Sequence, residues 1–324
     1  MAKATHNADT RAWTGGWTGE RFGHEAFVFS DDQAVRERVV PFVEEGLALG
    51  EPVMVVADDT VRDVLTQHLD SRIAELALFA PSGSFWQGGH ATLAAYHASM
   101  QPLLASGRPW RIVGEPSWLA QRGGPAWSRF EAVANEAFAD YPYYSLCLHD
   151  RRRLPADVVD AQLRAHPMVW DGAKPAPSPD YEPTDVFLRA MEPSSSPPEH
   201  QVRRLVIDDL SDGGDAMADW MDLHPVRSRS GSARLAVHEV VVNAIQAAGR
   251  AHVSEWHQDD HVVWEIRDEG PGLHDQTAGY MLPVHDPLSG RGLWVARSLA
   301  DDSSLCADGR GTTIRLMFRA DPAS

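Results

Sequence analysis

Four short patterns in the last third of the chain carry residue types that suit a nucleotide. They are Glu239-x-x-x-Asn243, Asp268-Glu269-Gly270-Pro271-Gly272, Gly290-Arg291-Gly292-Leu293 and Gly311-Thr312-Thr313. On a helix, Glu239 and Asn243 share one face. A carboxylate there can take a proton from an attacking hydroxyl, and an amide oxygen suits Mg²⁺. Asp268 ends an alternating segment and enters a Gly-Pro-Gly turn. Its carboxylate can accept from an exocyclic amine, while the glycines let the backbone approach a ligand. Gly290 and Gly292 open a helix whose N–H groups and dipole favour phosphate, with Arg291 in reach. The Thr312 and Thr313 hydroxyls can bridge to a base through water. Each pattern alone also fits a plain helix face, turn or strand end. The ordered set points to a nucleotide.

These residues need a small mixed layer to hold them. The patterning predicts a strand near 202–210, helices over 214–223 and 228–248, and a hairpin of 251–257 with 262–268. A loop at 271–289, a helix over 292–299 and strands at 303–307 and 312–318 complete this C-terminal domain, 201–320. Upstream, short apolar runs alternate with helical stretches. Strands are expected at 26–29, 52–57, 76–79, 110–113 and 144–148. Helices are expected from Asp31-Asp32 to Leu49, then at 59–69, 93–105, 126–139 and 156–165. Such alternation implies an α/β domain, 21–182, with a parallel sheet between helices. Residues 1–20 are polar and glycine-rich, with Trp13 and Trp17 isolated, and read as a flexible arm. Residues 183–200, rich in proline and serine, read as a linker.

The chain of 324 residues has a formal charge of -17. Residues 201–324 carry 19 acids against 12 bases, and the remainder 27 against 17. An evenly acidic surface argues against nucleic acid, which selects a basic face. Two cysteines, Cys147 and Cys306, exclude a disulfide framework or a cysteine-rich metal site. The 15 histidines show no metal-ligand spacing. No apolar run approaches the ~18 residues of a membrane span and the start lacks a signal-peptide pattern, so a cytoplasmic protein without membrane contact is expected.

HEVVVNAI, DEGPG, GRGLWVA and GTT resemble the four boxes of the GHKL (Bergerat-type) ATPase superfamily, which includes histidine kinases and gyrase. The short loop and the GRGLW box are most similar to its anti-sigma-factor serine kinase branch. The resemblance implies an α+β sandwich that binds ATP and Mg²⁺. Asn243 would hold the metal and Glu239 would be the base. Asp268 would read the adenine amine, Gly270 and Gly272 would line the base pocket, and Gly290, Arg291, Gly292 and Leu293 the phosphate side, with Gly311, Thr312 and Thr313 behind. Implied partners are a sigma factor and an anti-anti-sigma protein of the STAS type, phosphorylated on Ser or Thr, and relatives of this branch dimerise.

Residues 21–182 resemble the MEDS sensory domain of dichloromethane regulators. The matching stretches are His24-Glu25-Ala26-Phe27, the run from Pro41 to Pro52, Arg111-Ile112-Val113-Gly114-Glu115-Pro116-x-Trp118, and Phe130-Glu131-Ala132-x-x-Asn135-Glu136-Ala137-Phe138. This family implies a degenerate RecA-like sheet. No GxxxxGK[ST] follows the first strand, so a sensor of an unidentified small molecule is expected rather than a second ATPase. His24, Glu25, Glu115 and Trp118 lie near predicted strand ends, where α/β sheets bind ligands, and are the sensory candidates. Two alternatives stand beside the kinase. One is a catalytically inactive nucleotide-binding module. The other is a histidine kinase, which His200, placed between prolines and a strand, serves poorly as phospho-acceptor.

Overall fold

The computed structural model describes residues 11–70, 77–82, 89–116, 119, 124–192, 197–198, 201–209, 217, 219–281 and 291–322. The chain divides into two compact units. One comprises Met1–Gln87 with Thr92–Phe187, the other Leu188–Ser324 with Gly88–Ala91.

In the first unit the expected alternation is present. The elements are β1 (Gly23–Phe29), α1 (Asp32–Ala48), β2 (Val53–Ala57), α2 (Asp59–His68), β3 (Leu78–Pro81), α3 (Gly89–Ala105), β4 (Trp110–Gly114), α4 (Gly124–Ala137), β5 (Tyr143–Asp150) and α5 (Ala156–Ala165). Asp31 caps α1 as its side-chain type predicts, accepting from the Ala34 N–H at 2.8 Å. The sheet order is β3-β2-β4-β5-β1-β6-β7, where β6 is Met168–Trp170 and β7 Pro175–Pro177. Every pairing is parallel except β6 with β7. That closing hairpin escaped the sequence reading, because three-residue strands at prolines leave no alternation to detect.

Period-two alternation gives β1 and β5 two different faces. Phe27, Phe29, Leu146 and Leu148 pack under Val39 and Phe42 of α1. His24 and Cys147 face the other way, toward α4 and α5. The segment read as a flexible arm is docked over its described part. Arg11 pairs with Glu51 at 2.7 Å, Trp13 stacks on Trp170 at 5.8 Å, and Trp17 meets Tyr144 edge-on. Burial of the two indoles outweighs the entropy of a glycine-rich segment. Within the span read as a linker, Thr184–Met191 forms a helix, α6, with Phe187 and Leu188 buried.

The second unit is a five-stranded antiparallel sheet, order β11-β12-β10-β9-β8. Its strands are β8 (Arg203–Ile207), β9 (Ala251–Gln258), β10 (His261–Arg267), β11 (Asp302–Asp308) and β12 (Gly311–Arg319). Helices α7 (Ser230–Ala248) and α8 (Arg291–Leu299) share one core with the sheet, built on Val237, Val241, Trp264, Ile266, Leu316 and Phe318. Gly249 ends α7 in the left-handed region, with its N–H on the Ile245 carbonyl at 2.7 Å. Of the helix expected over 214–223, Met217, Asp219 and Trp220 are helical, residues 221–223 are not, and the rest lies outside the described residues.

Candidate functional site

Helix α7, the end of β10, the start of β12 and α8 converge on a cavity of about 290 Å³ in the second unit. Asn243, Ala247, Asp268, Gly279, Leu293 and Thr312 are among its walls. Asp268 is only 7% exposed. Its Oδ1 accepts the Gly270 N–H at 2.8 Å and the Thr312 N–H at 3.2 Å. Two backbone donors therefore fix the carboxylate plane, and among the described residues Oδ2 has no donor of its own. Such an oxygen, held at a cavity wall, selects an amine. Thr312 Oγ1 takes the Leu273 N–H at 3.0 Å, which leaves its own proton to donate.

Glycines make the close approaches. A Cβ on Gly292 would lie 2.7 Å from Glu239 Oε2 and 3.3 Å from Asn243 Nδ2, so the head of α8 rests directly against the ExxxN pair. A Cβ on Gly311 would lie 1.9 Å from the Asp268 carbonyl oxygen. The structure thus brings Glu239, Asn243, Asp268, Gly292, Leu293, Gly311 and Thr312 into one neighbourhood. Thr313 falls on the opposite face of β12 and does not wall the cavity. Gly270 and Gly272 shape the turn rather than the wall, Gly272 with φ +82. Arg291 stands exposed at the first position of α8, and Gly290 lies outside the described residues. Sequence reasoning missed Ala278 and Gly279, whose small size leaves room in the cavity.

Residues 217–318 match the Histidine kinase-like ATPase domain, and residues 23–167 match the MEthanogen/methylotroph, DcmR Sensory (MEDS) domain. The chain is a MEDS domain followed by a histidine kinase-like ATPase domain. No curated protein matches it. The ATPase domain implies ATP binding, and the cavity lies within its matched range. Among the described residues no helix is long and apolar enough to cross a membrane.

In the MEDS domain the four sensory candidates part company. Glu25 is buried in a fork with Arg38, at 2.7 and 2.9 Å, and takes the Tyr144 hydroxyl at 2.6 Å. It anchors α1 to the sheet. Glu115 follows β4 at the carboxyl ends of the parallel strands, accepting the Asp58 N–H at 3.0 Å with Arg153 at 3.6 Å. Burial first, and the Asp58 carboxylate with it, push its carboxyl up to about 8 against the lowering effect of the Asp58 N–H bond. Trp118 lies outside the described residues. His24 sits at the other end of the sheet, beside Glu131 of α4, Cys147 of β5 and His166 just after α5, all four buried. Burial lowers His24 to about 4 and His166 to about 3, and raises Glu131 to about 7. A cavity of about 30 Å³, lined by Tyr96, Ile112, Phe130 and Phe138, touches His24, Glu131 and Cys147. That volume admits a water-sized molecule. Glu131 and Asn135 carry a helical i,i+4 signal like that of Glu239 and Asn243. Cys147 and His166 carry none.

Proposed function

We propose that this protein is an ATP-dependent regulatory switch of the anti-sigma-factor kinase type. Its ATPase domain takes Mg-ATP into the α7–β10–β12 cavity, with the adenine amine on Asp268 Oδ2. The observation that carries this reading is the junction of Glu239, Asn243 and Gly292 at the edge of the cavity walled by Asp268 and Thr312. A magnesium ion suits the Asn243 amide oxygen and would neutralise charge as the terminal phosphoryl group transfers. Glu239, half-buried beside Asn243, accepts the proton of a Ser or Thr hydroxyl on an anti-anti-sigma protein of the STAS type. The hydroxyl oxygen then bonds to the terminal phosphorus as the bond to ADP breaks. In the other arm of the switch the ATPase domain sequesters a sigma factor. A small molecule sensed by the MEDS domain selects between the two. The acidic chain, at -17, suits basic surfaces on such partners.

Calorimetry of Mg-ATP on wild type, Asn243→Ala and Glu239→Gln tests this directly. Binding by wild type should be lost in Asn243→Ala and kept in Glu239→Gln, and only wild type should transfer labelled phosphate. No binding by wild type at ~1 mM ATP, a limit of about −4 kcal/mol, sinks the reading. Binding without transfer to any STAS-type protein reduces the domain to a nucleotide-gated interaction module.

A further inference from the structure

We propose that His24, Glu131, Cys147 and His166 of the MEDS domain form a binding site for one divalent transition-metal ion of the zinc type. The donors come from four separate places: the start of β1, the middle of α4, the middle of β5 and the turn after α5. Their ligand atoms all lie within 4.8 Å of one another, and all four residues are buried.

Hydrogen bonds on the far side of each ring decide which nitrogen faces inward. Asn135 donates its Nδ2 to the Ala165 carbonyl at 2.8 Å, which turns its Oδ1 toward His24 Nδ1, also at 2.8 Å. That oxygen only accepts, so the His24 proton sits on Nδ1 and Nε2 presents a lone pair. His166 repeats the arrangement, with Nδ1 facing the Gln162 carbonyl at 2.7 Å. Its Nε2 points into the cluster with no hydrogen-bond partner, on a residue 0% exposed. A protein-held outer partner on each imidazole is the support that metal-bound histidines require.

What then meets at the centre is two imidazole lone pairs, a carboxylate and a sulfur, all acceptors or weak donors. A cation satisfies all four at once, which no single proton does. The spacings agree. His24 Nε2 lies 3.1 Å from Glu131 Oε2 and 3.6 Å from Cys147 Sγ, and His166 Nε2 lies 3.9 Å from Glu131 Oε2. Bonds of ~2.0–2.3 Å in a tetrahedron place donors roughly 3.3–3.8 Å apart. Two nitrogens, one thiolate and one carboxylate suit zinc and its neighbours, and exclude the all-oxygen preference of Mg²⁺ and Ca²⁺. Binding would release the proton of Cys147.

The test uses the full chain, stripped with a chelator and refilled with Zn²⁺ or Co²⁺. One equivalent should bind, and the Co²⁺ form should show tetrahedral visible bands with a thiolate charge-transfer band. Cys306→Ser, which changes the exposed cysteine, should keep that band, and Cys147→Ser should lose it. His166→Gln should weaken binding 10- to 100-fold or more, whereas the exposed His68→Gln should not. Folded wild type that takes up no tight Co²⁺, or a thiolate band that follows Cys306, overturns the proposal. The wild-type measurement alone decides if a buried variant fails to fold.

Discussion

Asp268→Asn separates the two jobs of one carboxylate. Oδ1 holds the turn by accepting from Gly270 at 2.8 Å and Thr312 at 3.2 Å. An amide oxygen can keep both bonds, so the fold should survive with Tm within about 4 °C of wild type, the shift of a ~1 kcal/mol change. The other branch changes from an acceptor to an N–H donor, on a residue that lines the cavity. Against adenine, donor would then meet donor. The lost bond to a charged group is ~1.5–3 kcal/mol and the unsatisfied donor another ~1–3 kcal/mol. Together they weaken ATP roughly 10²- to 10⁴-fold. The same change should favour a 6-oxo base, whose oxygen accepts from the new amide. Calorimetry of Mg-ATP and Mg-ITP on both proteins therefore reads a loss for one and a gain for the other. A variant that binds ATP within ~3-fold of wild type, or keeps the wild-type ATP/ITP ratio, refutes the placement of the amine on Asp268.

Gly311→Ala would drive a methyl group to 1.9 Å from the Asp268 carbonyl at φ +140. It should lose on the order of 3 kcal/mol or more, and about 10 °C in Tm. Gly309→Ala, with nothing within 4 Å, should stay within ~0.5 kcal/mol; equal losses for the two would deny the close approach. Glu115 is raised from 4.5 to about 8, so the folded state favours its proton. Its contribution is complete below about 4.5 and is lost as pH rises through about 8. Glu115→Gln keeps a neutral group at every pH. Denaturant unfolding should therefore show wild type losing stability relative to the variant across that window, and parallel curves would contradict the shift.

The ATPase domain was legible because its chemistry is written locally. Glu239 and Asn243 need only a helix, and Asp268 needs only the strand end and turn that follow it in sequence. Gly292 and Gly311 announce close approach by lacking a side chain. The failures there have equally local causes. Thr313 looks like Thr312 in sequence, but a strand sends neighbours to opposite faces, and only one of them can reach the cavity. The docked segment at Trp13 and Trp17 misled for the opposite reason, because glycine-rich composition reports a flexible backbone and says nothing of where two indoles find a partner.

The MEDS cluster shows why a buried donor set escapes a reading by spacing. His24, Glu131, Cys147 and His166 are far apart in sequence, and no two lie at a ligand-pair interval. Their meeting depends on β5 pairing with β1, which sets Cys147 opposite Ala26, two residues on from His24 and on the same face. It depends equally on α4 and α5 crossing that face. Composition could suggest only that 15 histidines were many. What marks these two is burial together with a carbonyl behind each ring, supplied by Asn135 and by the Gln162 backbone. An imidazole such as His166, whose outer nitrogen is bonded to an oxygen and whose inner nitrogen is buried without a partner, has been oriented for something else to bind. That criterion is geometric, and it belongs to the folded chain alone.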